Sequence, residues 1–360
     1  MSKPRLIAFY LPQFYPTPEN NKWWAKGFTE WTNVGNARPL FRGHYQPRVP
    51  ADLGYYDLRL PEVREQQAAM AHEAGIEGFC YWHYWFAGER LLDRVFAEVV
   101  ESGKPDFPFC LCWANHSWYQ KTWDPNKPNR LLIEQTYPGE EDYIAHFNAM
   151  LPAFKDKRYM RVDGKLIFGF YAPLDCPDFE LFKNTWNRLA QENGLKGFYF
   201  FGFTFSVEKI DSIHKAGYDA CVYDGVNEIF AHSSLLKRFK KRIFRTPIVT
   251  NYAAYTQHFL KLLKVTPEDH PCINPNFDHS PRSAERGLIL HQSTPKKWGK
   301  LCRKIFQLCQ YRRVDDNLVF IKAWNEWGEG NYLEPDLKYG KAYLCELKEA
   351  LQHYPENKIS

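Results

Sequence analysis

The chain has 360 residues and a formal net charge of +5 at pH 7, with 44% hydrophobic and 25% charged residues. That balance is globular and excludes a disordered or fibrous chain, the charge is too mild to imply a nucleic-acid partner, and no run of ~18 apolar residues marks a membrane span. At ~100–200 residues per domain two domains fit, but an α/β barrel runs past ~250 as one, and without a repeat, low-complexity tract or linker a single domain over 1–360 is expected.

From the N-terminus the chain enters an apolar run, Leu6–Phe14, with no signal-peptide pattern before it. Its end aims Tyr10 and Gln13 toward one mouth. Residues 15–60 form a long loop rich in Pro, Trp, Asn and Gly. Pro61–Ala74 is a predicted helix, with Val63, Gln66, Gln67, Met70 and Ala74 near helical spacing and Gly75 as the stop. Ile76–Phe86 is the next strand. Alternation sets Tyr81, His83 and Trp85 on one face and Trp82, Tyr84 and Phe86 on the other. At least half of these rings belong to the core, and His83 and Tyr84, near the strand end, are the site candidates. Phe107–Trp113 follows and closes on the polar cluster Asn115, His116, Ser117 and Trp118. A second long loop covers residues 114–140. Asp142–Phe154 and Asp178–Asn193 are predicted helices, and Leu166–Tyr171, Gly197–Phe205 and Ala220–Tyr223 are predicted strands. Pro247–Tyr252 and Pro271–Phe277 compete for the seventh strand, the second leading into Asp278. Leu318–Trp324 is the last strand and Lys338–His353 the last helix.

Strand and helix alternating about eight times predict an α/β fold, a (β/α)8 TIM barrel with long loops after strands 1 and 3. An open doubly wound sheet is the runner-up, but no Gly-x-Gly-x-x-Gly follows the first strand and no P-loop occurs. A barrel gathers the polar and aromatic strand ends at one mouth.

The last strand ends in Trp324-Asn325-Glu326-Trp327-Gly328-Glu329-Gly330. Two carboxylates beside indoles cost free energy unless paired or hydrogen-bonded. Glycosidic cleavage commonly uses two such groups, one giving a proton to the leaving oxygen and one acting as base or nucleophile. Burial against Trp324 and Trp327 would raise a carboxyl pKa, which suits a general acid. A solvated strand end has the same spacing, so spacing alone leaves both readings open.

Ile7–Phe14, Trp23–Val34, Gly43–Pro47, Gly78–Phe86, Phe109–Asn115, Arg158–Lys165 and Ala323–Pro335 run in order nearly end to end. In these blocks the chain resembles the WbsX-type proteins of bacterial surface-polysaccharide loci, which are similar to family 99 glycoside hydrolases. The resemblance implies a (β/α)8 barrel, an α-mannan-type or related glycan, and catalysis with retention. It makes Glu326 a base on the sugar's own 2-hydroxyl, which attacks C1 to give a 1,2-anhydro sugar, and Glu329 the acid and then base at the leaving oxygen. In the usual retaining pattern a carboxylate is itself the nucleophile. With the strand-end residues, the resemblance makes Tyr10, Gln13, Trp31, His83, Tyr84, Asn115, His116, Trp118, Asp278, Trp324, Asn325, Trp327 and Tyr332 the expected substrate contacts. The chain departs from the family at His116-Ser117-Trp118, where Glu-Asn-Trp is usual and a basic pair follows. Substrate choice is therefore expected to differ at His116.

The expected function is a carbohydrate-active enzyme of bacterial surface polysaccharide metabolism (O-antigen, lipopolysaccharide or capsule), with retaining glycosidase or transglycosylase chemistry. Glycosyl transfer during assembly is the close alternative, although the chain lacks the Asp-x-Asp of metal-dependent nucleotide-sugar transferases. A glycan-binding barrel without catalysis is a further reading. The expected partner is an oligosaccharide or lipid-linked glycan, with no cofactor and no metal. Nine scattered cysteines without metal spacing suggest free thiols and a reducing compartment, so a cytoplasmic location is expected. The basic segment 235–245 carries Leu236, Phe239 and Ile243 on one helical stripe and can meet an anionic inner membrane face or a diphosphate; a solvated helix face is the plainer reading. Lys296, Lys297, Lys300, Arg303 and Lys304 form a second basic stretch.

Overall fold

The computed structural model describes residues 3–120, 128–231, 246–264 and 266–354. Eight parallel strands close into a barrel: β1 Arg5–Tyr10, β2 Gly78–His83, β3 Phe109–Trp113, β4 Lys165–Phe170, β5 Phe198–Thr204, β6 Ala220–Tyr223, β7 Asp269–Ile273 and β8 Leu318–Ile321. Each pairs with the next, and β8 returns to β1 through Arg5 opposite Leu318 and Ala8 opposite Ile321. Strands buried on both faces need continuous apolar runs, and Leu318-Val319-Phe320-Ile321 is wholly buried.

The contest for the seventh strand goes to the segment that leads to Asp278. Asp269–Ile273 is buried at every position, whereas Ile248–Asn251 is buried on one face only. The latter pairs with Leu288–His291 in a two-stranded sheet outside the barrel. The helices Pro61–Glu73, Glu140–Phe154, Phe179–Glu192 and Ala342–Gln352 occupy the predicted stretches. The first buries Arg64, Gln67, Ala68 and Ala71 rather than the Val63 face, because Arg64 is drawn inward to the Leu58 carbonyl at 2.9 Å. The last starts four residues late. Asp336 holds the backbone N–H groups of Lys338 and Tyr339 at 3.0 and 2.7 Å, which keeps that stretch a turn.

Large rings fill the barrel. Phe9 stacks on Trp82 at 4.5 Å and meets Phe203 at 5.5 Å, and Phe201 lies 5.0 Å from Phe320. Gly169 on β4 makes room for this layer, since a Cβ there would collide with the Phe201 ring. The two long insertions lie over the C-terminal end of the strands. The first carries helices Pro18–Trp23 and Glu30–Asn36, and the second carries the hairpin Trp118–Gln120 with Arg130–Ile133. All nine cysteines are free, and eight are buried. Among the described residues no helix is long and apolar enough to cross a membrane. The basic segment 235–245 lies outside the described residues, and Lys296, Lys297, Lys300, Arg303 and Lys304 fall on the helix Pro295–Cys309, whose apolar face is anchored by Trp298, Leu301 and Ile305.

Gly169→Ala is expected to cost about 1–3 kcal/mol by overpacking, read as a lower midpoint of denaturant unfolding. An unchanged midpoint would mean that Phe201 moves aside freely.

Candidate active site

The strand ends open into a cavity of about 580 Å³. Glu326 and Glu329 lie on its floor, with Trp24, Phe28, Trp82, Tyr84, Trp118 and Tyr171 around them. The pair sits on a tight turn after β8, Trp327–Glu329, which ends at Gly330 with φ 54° and ψ 26°. Three braces hold the turn. The Gly330 carbonyl accepts from Arg48 Nη1 at 2.7 Å, the Glu329 carbonyl accepts from the Asp278 N–H at 2.6 Å, and the Asn325 amide takes both backbone groups of Leu11, at 2.8 and 3.0 Å.

The two carboxyls have different surroundings. Glu329 receives Lys322 Nζ at 2.8 Å on one oxygen and Arg282 Nη1 at 2.7 Å on the other. Glu326 accepts from the neutral Trp82 indole at 2.9 Å, and its other oxygen is 3.8 Å from Arg282. Arg282 also donates to Glu30 at 3.1 Å. Local sequence explains both partners from the loops. Thr29 caps the helix Glu30–Asn36, which puts Glu30 in its first turn. Asp278 takes the Ser280 N–H at 3.0 Å, which starts the short turn Ser280–Ser283 that carries Arg282.

These contacts set the protonation pattern. Burial pushes the Glu326 carboxyl up, and the charge of Glu329 adds to it; Lys322, Arg282 and the Trp82 indole offset only part. Burial acts on Glu329 too, but Lys322 and Arg282 outweigh it and hold that carboxyl well below the usual range. Asp224, buried below with Lys322 as its main opposing charge, is pushed up to about 6. The two close cations favour the anion on Glu329, and burial without a cation in hydrogen-bonding reach favours the protonated form of Glu326.

The predicted contacts separate into three groups. Gln13, Tyr84, His116 and Trp118 line the cavity with the glutamates. His116 lies 5.0 Å from the Tyr171 ring, its Nδ1 meets no protein partner, and burial holds its pKa down. A second group braces the framework rather than lining the cavity. Asn115 clamps the backbone of Ala172 at 2.8 Å in both directions. Trp31 donates to the Tyr56 carbonyl at 2.7 Å. Trp327 stacks on Tyr332 at 3.7 Å and donates to Glu334 at 2.6 Å. Tyr332 donates to Asp336 at 2.7 Å. Asn325 acts on Leu11 as above, and Trp324 packs on Phe79 at 5.4 Å. Asp278 accepts from His44 and Gln46, each at 2.7 Å, so its carboxylate faces away from the glutamate cavity. The third group lies on the outer surface of the barrel. Tyr10 donates to Gln67 of the helix Pro61–Glu73 at 2.6 Å. His83 meets His146 at 2.7 Å on the helix Glu140–Phe154, and burial lowers its pKa to about 3. Strand parity is the reason, because Phe9 and Trp82 point inward and their neighbours Tyr10 and His83 must point out.

Sequence reading missed Lys322, Arg282, Glu30, Trp82 and Tyr171. Lys322 has a readable signal: it shares the inward parity of Phe320 at the end of an apolar strand. Trp82 has the parity of Tyr84. Arg282 has none, since it reaches the glutamates from a loop more than forty residues upstream.

Residues 6–347 match the family model described as glycosyltransferase WbsX. The uncharacterised protein WxcX of Xanthomonas campestris pv. campestris (strain B100) is 34% identical over 374 residues, which covers 98% of this chain and 50% of that protein. The chain thus spans about half the length of the curated relatives it matches. Among solved structures, a glycoside hydrolase-like protein aligns with TM-score 0.62 at 15% identity, over 98% of this chain and 94% of that one. A family 99 endo-α-mannosidase from Bacteroides thetaiotaomicron aligns with TM-score 0.54 at 13% identity, over 98% of both chains. At such identities these two show a shared barrel fold. The match to the family model spans nearly the whole barrel, from β1 to the final helix, and the chain belongs to the WbsX glycosyltransferase family.

Proposed function

We propose that the chain is a carbohydrate-active enzyme that works on a glycosidic bond of a bacterial surface polysaccharide, with Glu326 and Glu329 as its reacting groups. One observation carries this reading: two carboxyls of opposite protonation preference share the floor of an aromatic-walled cavity. Titratable pairs pushed apart by their surroundings mark acid and base assignments. The cavity volume of about 580 Å³ suits an oligosaccharide segment. Trp24, Trp82 and Trp118 supply flat apolar faces for sugar rings, and Gln13, Asn20 and His116 supply polar contacts.

The ion pairs support an exchange of the roles that the family resemblance implies. Glu326 holds the proton and gives it to the leaving oxygen. Glu329, kept ionised by Lys322 and Arg282, takes the proton of the substrate's 2-hydroxyl. That oxygen then attacks C1 as the C1–O bond to the leaving group breaks, giving a 1,2-anhydro sugar. The acceptor hydroxyl, of water or of a second sugar, then bonds C1 as the C1–O2 bond breaks: Glu326, now a carboxylate, takes the acceptor's proton, and Glu329 returns its proton to O2, which restores both carboxyls. Products keep the anomeric configuration. The family description favours a sugar acceptor, and hence glycosyl transfer.

Glu326→Gln and Glu329→Gln are each expected to slow turnover of methyl glycosides by about 10²-fold or more. On 4-nitrophenyl glycosides, whose leaving group needs no proton, Glu326→Gln keeps the first step and Glu329→Gln does not. The opposite pattern would restore the family-implied roles, and turnover unaffected by both changes would remove the pair from catalysis.

The pH profile of kcat/KM is expected to be bell-shaped. Activity rises as Glu329 ionises at low pH and falls as Glu326 loses its raised-pKa proton at higher pH. Lys322→Met removes an ammonium 2.8 Å from Glu329 and should move the acidic limb to higher pH. An unmoved acidic limb would mean that Glu329 is not the group titrating there.

A further inference from the structure

A second cavity, of about 530 Å³, has a lining that shares no residue with the first. Its walls come from the loops after β1, β7 and β8, and its floor is the Arg48–Asp278 pair. Both buried carboxylates there are fully used. Asp278 accepts from His44, Gln46 and the Ser280 N–H, with Arg48 at 3.6 Å. Asp336 accepts from the Tyr332 hydroxyl and the N–H groups of Lys338 and Tyr339.

The rim cations have no such partners. Among the described residues, neither Arg42 nor Lys338 forms an ion pair. The Lys338 ammonium lies instead 4.4 Å from the centre of the Tyr45 ring and 4.9 Å from that of Tyr339. His291, on the wall, is pushed down by burial and further by His44, Lys338 and Lys297; Asp278 alone opposes them. The walls between these cations are phenolic: Tyr45, Tyr332, Tyr339 and Tyr343. An electropositive cavity with aromatic walls and no free carboxylate is complementary to a ring that carries a negative substituent.

We propose that this cavity is a binding site for an acidic sugar unit, a pyranose bearing a carboxylate or a phosphate, separate from the glutamate cavity. Lys338 and Arg42 pair with the anion, and the phenolic wall lies against the ring. The site sits back to back with the glutamate turn, since Arg48 on its floor donates to the Gly330 carbonyl at 2.7 Å.

The test is calorimetric titration of the full chain with methyl glucuronide, glucose 6-phosphate, methyl glucoside and inorganic phosphate, with the His291 ring followed by NMR. One or both acidic sugars should bind at least roughly tenfold tighter than methyl glucoside and shift His291, and the arm that binds tells carboxylate from phosphate. Lys338→Glu, on an exposed turn, should abolish that binding, while Glu329→Gln leaves it unchanged. Equal binding of neutral and acidic sugars, or full affinity in Lys338→Glu, would overturn the proposal. So would loss of binding in Glu329→Gln, which would put the ligand in the first cavity, or inorganic phosphate binding as tightly as glucose 6-phosphate, which would leave an anion site without a sugar.

Discussion

Arg282 is the hinge of the electrostatics. Its guanidinium meets Glu30 from the loop after β1 and both Glu326 and Glu329 from the turn after β8, while itself standing on the loop after β7. Lys322 adds the second cation from the end of β8. Carboxyls outnumber these two cations, since Asp224 also faces Lys322, so protonation of part of the cluster relieves the excess of acids. Of the two glutamates on the turn, Glu326 is the one without a cation in hydrogen-bonding reach. Losing one partner of a buried charge pair costs ~3–5 kcal/mol because the other is left uncompensated. That cost ties three loops into one arrangement, and Gly328 belongs to it, since a Cβ there would collide with the Glu30 carboxylate.

The polar residues around the cluster form a second, largely neutral scaffold. Glu334 takes the Tyr56 hydroxyl, the Gln67 amide and the Trp327 indole at 2.8, 2.6 and 2.6 Å. Burial pushes its carboxyl up to about 7, and three donors satisfy it without a cation. Through Trp327 it fixes the turn that carries both glutamates, and through Tyr56 it reaches the loop after β1. Asn325 repeats the same bridge with the Leu11 backbone. The Trp327 indole beside the glutamate pair is therefore spent on holding the turn, and the cavity takes its aromatic surface from Trp24, Trp82 and Trp118 on other segments.

The barrel was legible because strands buried on both faces must be apolar throughout, and seven such runs stand out in the chain. The seventh strand was ambiguous because Pro271 weakens its pattern, and the edge strand Ile248–Asn251 has a similar length. At the site, proximity to a strand end was readable but direction required parity. Tyr10 and His83 are one residue from the inward Phe9 and Trp82, and a one-residue offset sends a side chain to the opposite face. Parity also marks Lys322, which the same rule would have found. Arg282 and Glu30 were beyond reach, because their meeting depends on how two long loops fold across the barrel mouth, and no local spacing encodes that.

His116 follows from the same charge arithmetic. The family resemblance puts an acidic side chain at this position, on the wall of the cavity that holds Glu326, Glu329 and Glu30. A further carboxylate would deepen the excess of acids over cations and favour protonation of its neighbours. In this chain the position is a histidine whose pKa burial lowers, and its buried Nδ1 has no protein partner. The exchange removes a negative charge from the cavity wall. The protonation pattern of the glutamates therefore remains under the control of Arg282 and Lys322.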